Sequence, residues 1–184
     1  MKVQFNEKKA TQSAAFLLRL RGGTMSYMKL IKLLYLADRY ALITWGRSIT
    51  TDSYVSMDRG PVLSRVLDLA SDGDIPGSPQ IWVAHISSPN NYDVTLLSDP
   101  GLDELSKAET QALEKVFSEH GKKSRWELVD FAHTLPEWQD PNGGAIPIGI
   151  RDILRVAGKT ALESAAVENE IDDLARAETL FAAG

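Results

Sequence analysis

The chain has 184 residues, a formal net charge of −5, 43% hydrophobic residues and no cysteine. The length is enough for one domain with a sizeable core. The missing cysteines exclude disulfides, thiol catalysis and cysteine-ligated zinc, and the acidic balance argues against a phosphate-backbone binder. No run nears the roughly 20 apolar residues that span a bilayer, and the stretch from Met1 to Glu7 has no apolar signal core, so a cytoplasmic protein without membrane attachment is expected.

Asn6 is a good N-cap and Glu7 suits the first turn of a helix that carries Ala14, Leu17 and Leu18. Gly22-Gly23 ends that helix. The second helix runs from about Ser26 to Trp45. Its Leu30, Leu33, Leu34, Ala37 and Ala41 form one apolar stripe, while Lys29, Lys32 and Arg39 fall towards its other faces. Gly46 stops it. Ile49 to Met57 reads as a short extended segment. Arg59-Gly60-Pro61 then reads as the entry to a helix near Val62 to Ala70, with Pro61 in its first turn.

Asp72-Gly73-Asp74 and Pro76-Gly77 mark a loop. Gln80 to His85 and Asp93 to Leu97 read as two strands of a β-hairpin joined by Ser87-Ser88-Pro89-Asn90-Asn91. Ser106 with Glu109, and Ser124 with Glu127, are capping boxes that open two further helices. The first stops near Gly121, the second near His133, and Pro136 follows. Pro141 to Gly144 is a loop. The last third is helical, roughly Ile148 to Val156 and Leu162 to Phe181. The second of these has six acids against Arg176 and an apolar stripe of Val167, Ile171, Leu174 and Leu180. The expected class is therefore α+β, predominantly helical, a compact helical domain with one small β-hairpin near residues 80–97, in a single domain spanning 1–184.

The run from Tyr27 to Asp38, with Leu30, Leu33 and Leu34, resembles the opening helix of the Panacea (SocA-like) antitoxin family. Four more features follow in that family's order. These are Gly46 with Ile49 and Asp52; Gly60-Pro61-Val62; Leu105-Ser106 with Glu109 and then Ser124 to Leu128; and His133 to Trp138. The resemblance spans about 24–138 and leaves a helical extension over 148–182. It implies an antitoxin that neutralises a cognate toxin by direct protein contact, the toxin being encoded nearby in a bacterial, prophage or phage operon. One relative acts as a proteolytic adaptor for a AAA+ protease, so such a protease is a further possible partner.

The residues support no catalytic reading of comparable weight. There is no P-loop, no G-x-G-x-x-G, no G-x-S-x-G and no H-E-x-x-H. His85 and His120 lack metal-ligand spacing and read as structural. His133 with Glu137 or Asp130 has the makings of an acid–base pair, but no nucleophile accompanies it. The favoured reading is that His133 and Trp138 fix a corner. Arg59-Gly60-Pro61 reads as an anion-catching helix start or, preferably, as a plain turn, and Asp52 and Asp58 as capping or solvated carboxylates rather than metal ligands. Lys29, Lys32, Arg39 and Arg47 make a basic stretch, read as a solvated face or as a contact for an acidic partner.

We therefore expect a binding protein, not an enzyme, needing no cofactor and no metal. The contact surface is expected on the second helix, the 46–61 segment and the 139–147 loop. Candidate anchors are Lys32, Tyr35, Arg39, Trp45, Tyr54, Arg59 and Trp138. Leu30, Leu33, Leu34, Gly60, Pro61, His133 and Trp138 are expected to shape the fold. The alternative, a nucleic-acid-binding regulator, is disfavoured by charge.

Overall fold

The computed structural model describes residues 4–72 and 75–182. The glycine and aspartate of the loop expected at 72–74, and the first three residues of the amino-terminal stretch, lie outside them. Among the described residues the molecule is mainly helical, with two small antiparallel sheets. Helix α1 spans Glu7–Arg21. Asn6 caps it by accepting the Lys9 N–H at 2.9 Å, and Gly22, at φ 94°, closes it in the left-handed conformation. Strand β1 (Thr24–Ser26) leads into helix α2 (Tyr27–Trp45), the axis of the domain. Residues Met28 to Asp38 are all buried, because helices on several sides enclose this one.

Strands β2 (Tyr54–Met57) and β3 (Gly60–Leu63) form a tight hairpin, followed by helix α3 (Ser64–Asp72) and the short helix α4 (Ile81–His85). Strand β4 (Asp93–Thr95) pairs with β1, Met25 facing Val94. Helices α5 (Lys107–His120) and α6 (Arg125–His133) start at complete capping boxes on Ser106 and Ser124. Strand β5 (Ile146–Ile148) joins the far side of β2, with Tyr54 facing both Leu63 and Ile148. Helices α7 (Ile150–Val156) and α8 (Ala161–Ala182) complete the chain. The core gathers Leu17, Leu18, Leu30, Leu33, Leu34, Leu63, Leu69, Trp82, Leu113 and Leu128 around α2.

Two local expectations need correction. Residues 81–85 are a helix, not a strand. The carboxylate of Glu7 accepts the N–H groups of Ile81 and Trp82 at 2.8 and 3.0 Å, which caps this turn, and Trp82 is fully buried. The 93–95 strand therefore pairs chiefly with β1, and only an isolated bridge joins Ile86 to Leu96. The hairpin of the fold lies at 54–63 instead. Gly60-Pro61, read as a helix entry, begins β3, and the helix starts at Ser64. Pro61 is tolerated because β3 is an edge strand. Asp52 accepts the N–H groups of Arg65 and Val66 at 3.1 and 2.9 Å and so caps α3, leaving no free helix start to catch an anion.

Candidate functional site

Helix α2 places a polar side chain at every third residue from Lys29 to Asp38, a spacing that winds round the helix, and each reaches a different element. Lys29 Nζ donates to the Gly121 carbonyl at the end of α5. Lys32 Nζ donates to the Pro61 carbonyl of β3 at 2.9 Å. Tyr35 Oη donates to Glu137 Oε1 at 2.8 Å. Asp38 accepts the N–H groups of Ile49 and Thr50 and the Thr50 hydroxyl, at 3.0, 3.1 and 2.6 Å. The lysines are thus buried, contrary to the expectation of a solvated basic face. Their stems lie in the core and backbone carbonyls satisfy their ammonium groups.

Burial sets the acid–base character of this row. Lys32 is held down to about 7 because desolvation penalises the ammonium. Asp38 is pushed up to about 7 by burial, against the downward pull of its three donors. The Tyr35 phenol is raised, first by burial and then by the charge of Glu137.

The β2–β3 turn is tied down from α6 and the segment after it. His133 Nε2 lies 2.9 Å from the Asp58 carbonyl, and Trp138 Nε1 donates to the Met57 carbonyl at 2.9 Å. The two rings pack 4.3 Å apart. Gly143 N–H bonds the Asp58 carboxylate at 2.9 Å, and Gln139 N–H bonds Ser56 Oγ at 3.2 Å. Glu137 completes the corner: Arg39 grips it through Nε at 2.6 Å and a second nitrogen at 3.2 Å. His133 and Trp138 therefore hold carbonyls of the turn, and Glu137 is committed to Tyr35 and Arg39. Asp52 and Asp58 bind backbone N–H groups, and among the described residues no group of His, Asp or Glu is arranged to hold a metal ion.

The candidate anchors consequently fall in different places. Tyr35 and Tyr54 are buried and meet edge to face, their ring centres 5.9 Å apart. Arg39 is spent on Glu137, Trp138 on Met57. Trp45 is half-buried against Tyr40. Lys32 is 2% exposed. Of this set only Arg59 is exposed.

Arg59 stands at the edge of a cleft of about 220 Å³ lined by Tyr27, Met28, Ile31, Lys32, Met57, Asp58, Val62 and Leu67. Beside it is an aromatic–cationic surface that the sequence did not single out. Trp126 is 51% exposed and Tyr92 61%. The Arg59 guanidinium lies 5.5 Å from the Trp126 ring, and that of Arg125 lies 5.2 Å from Trp126 and 5.1 Å from Tyr92. Trp126 follows the capping serine Ser124 by two residues, in the first turn of α6, and its large ring is left exposed there. That misplaced aromatic was the available signal.

A family model described as "Antitoxin SocA-like, Panacea domain" matches residues 30–139. No curated protein and no solved structure matches the chain. The matched span runs from Leu30 in α2 to the residue after Trp138, so it takes in Lys32, Tyr35 and Asp38 on α2, the β2–β3 hairpin and the corner that holds it. No helix among the described residues is long and apolar enough to cross a membrane.

Proposed function

We propose, from the premise that this chain belongs to the Panacea-domain family of SocA-like antitoxins, that it neutralises a cognate toxin by binding it directly as a protein partner in a toxin–antitoxin system, without cofactor and without catalysis of its own. The observation that carries this reading is the Arg59–Trp126–Arg125–Tyr92 row, with Arg59, Trp126 and Tyr92 exposed and Arg125 half-buried, beside a mostly apolar cleft. Arg, Trp and Tyr are the residues in which interface energy concentrates, and two large exposed rings next to a cleft have the make-up of a contact surface. The polar residues of the matched motifs meanwhile hold the fold together, which favours a rigid binding platform over a reaction centre.

A chain that sequesters a toxin rescues growth stoichiometrically. Co-expression with the product of the adjacent gene should give a complex that co-purifies at fixed ratio, and growth should be lost when that gene is expressed alone. A harmless neighbour that forms no complex overturns the proposal. A toxin that disappears in the presence of this chain only while a AAA+ protease is intact would instead identify a proteolytic adaptor.

A further inference from the structure

Among the described residues, two guanidinium groups stand at the cleft and the aromatic row beside it without an ion-pair partner. Arg59 and Arg125 have ring faces as neighbours but, among the described residues, no carboxylate within ion-pair distance. Lys32, which lines the cleft, has the Pro61 carbonyl as its hydrogen-bond partner. The nearby acids are already engaged: Asp58 takes the Gly143 N–H and Glu127 the Ser124 N–H. The cleft is otherwise mostly apolar, with Tyr27, Met28, Ile31, Met57, Val62 and Leu67, and among the described residues Asp58 is its one carboxylate. A second depression, lined by Tyr27, Ser71, Pro89, Asn91 and Tyr92, continues it past Tyr27.

Tyr92 is also held unusually. It has φ 69°, and Asn91 before it has φ 49°. Asparagine tolerates that region, whereas a tyrosine there is strained and persists only where its surroundings enforce it. The enforcement is visible: the Tyr92 carbonyl accepts the Tyr27 N–H at 2.9 Å at the start of α2. The result is a phenol ring set out in solvent against Arg125.

We infer that this face docks a segment of the toxin in which Asp or Glu side chains alternate with apolar ones, the apolar groups filling the cleft and the carboxylates pairing with Arg59 and Arg125. The inference rests on the protein-binding reading above and specifies its surface and the chemistry of its partner. Unpaired guanidinium groups pre-stacked on aromatic rings lose little freedom on meeting a carboxylate, and Arg presents the fork that a carboxylate fits. Nucleic acid is the competing occupant, since Arg and aromatic rings also serve stacked bases. A short, mostly apolar cleft favours a peptide whose carboxylates are interspersed with apolar side chains over a continuous phosphate backbone.

Random peptides displayed on phage and selected on the purified full chain supply the test, with the double variant R59E/R125E as comparison. Arg59 is exposed and Arg125 half-buried, and among the described residues their side chains make ring contacts without an ion pair, so the variant should keep the wild-type circular dichroism and melting temperature. Enriched peptides should combine acidic and apolar residues and bind the variant more than about tenfold more weakly. Y92A and W126A should each weaken them as well. Enrichment of basic or neutral peptides, equal binding to the variant, or no enrichment overturns the inference. So does a labelled single-stranded oligonucleotide that binds the wild type and not the variant while the peptides do not.

The antitoxin reading fails separately. Acidic peptides that bind here, together with a harmless neighbouring gene product, would leave the surface standing and the antitoxin role refuted. A toxin complex indifferent to R59E/R125E would do the reverse.

Discussion

The Nζ of Lys32 lies 2.9 Å from the carbonyl oxygen of Pro61, so the central helix holds the β2–β3 hairpin through an amine that burial keeps from carrying its charge easily. In the unfolded chain this amine titrates near 10.5; in the folded protein it is lowered to about 7. Below about pH 7 the folded state bears the cost of a desolvated ammonium. Between about pH 7 and about pH 10.5 the unfolded chain binds the proton and the folded one does not, so this group's contribution to stability rises with pH across that window. Lys32→Met removes the titration while keeping the volume. The stability difference between wild type and K32M, from urea denaturation, should shift in favour of the wild type from about pH 6 to about pH 9. A difference that stays level with pH would show that the folded amine titrates as an ordinary lysine.

Gly60 adjoins this contact and its requirement is steric. It has φ +95°, and a Cβ there would lie 2.8 Å from Ala132 Cβ and 3.2 Å from Lys32 Nζ. Gly60→Ala should cost about 1–3 kcal/mol, combining the left-handed backbone with the clash against α6. Gly143→Ala is the control: it also has positive φ, at 84°, but nothing stands within 4 Å of the added carbon. Thermal melts should therefore show G60A as clearly the more damaging of the two. Equal effects would mean that the approach to α6 is relaxed at little cost.

What could be read from the sequence was what neighbouring residues decide among themselves. Asn6, Ser106 and Ser124 were legible as caps because a side chain and a backbone N–H three residues away settle the matter. The apolar stripe of α2 was legible for the same reason of local period. The helix at 81–85 was not, because its cap is Glu7, far away in the chain, and a strand-like composition wins when that partner is out of view. Lys29 and Lys32 looked like surface residues because the carbonyls that permit their burial belong to Gly121 and Pro61. At the candidate site, Arg59 was visible from its motif, whereas Trp126, Arg125 and Tyr92 come together only when α6 and the loop before β4 are placed side by side.

Glu137 is buried and pairs with Arg39, which is itself mostly enclosed. Glu137→Ala should destabilise by about 3–5 kcal/mol, because a guanidinium is left without its anion and the Tyr35 hydroxyl without its acceptor. Tyr35→Phe should cost only about 1 kcal/mol, the net value of one hydrogen bond. The double change R39M/E137L should recover most of the E137A loss, since buried pairs are often replaceable by apolar residues of similar volume. Urea titrations of the four proteins decide it. If R39M/E137L is as unstable as E137A, the pair contributes more than its own desolvation removes.

Helix α8 lies beyond the matched family span, and its two sides have different fates. Val167 and Ile171 pack on the core, with Val167 Cγ2 3.3 Å from where a Cβ on Gly46 would sit, and Ser164 and Ala175 of the same helix are buried. Leu162 on the same helix is 82% exposed. The acidic residues therefore belong to a helix that is part of the folded domain along one face. Val167→Asp should cost about 2 kcal/mol or more, because a carboxylate replaces packing against the end of α2. Leu162→Asp should change stability by no more than about 0.5 kcal/mol, as expected for an exposed position. Melting temperatures of the two variants, measured side by side, test the docking of α8: equal, small shifts would mean that the helix does not rest on the core in solution, while a loss confined to V167D fixes which face it uses.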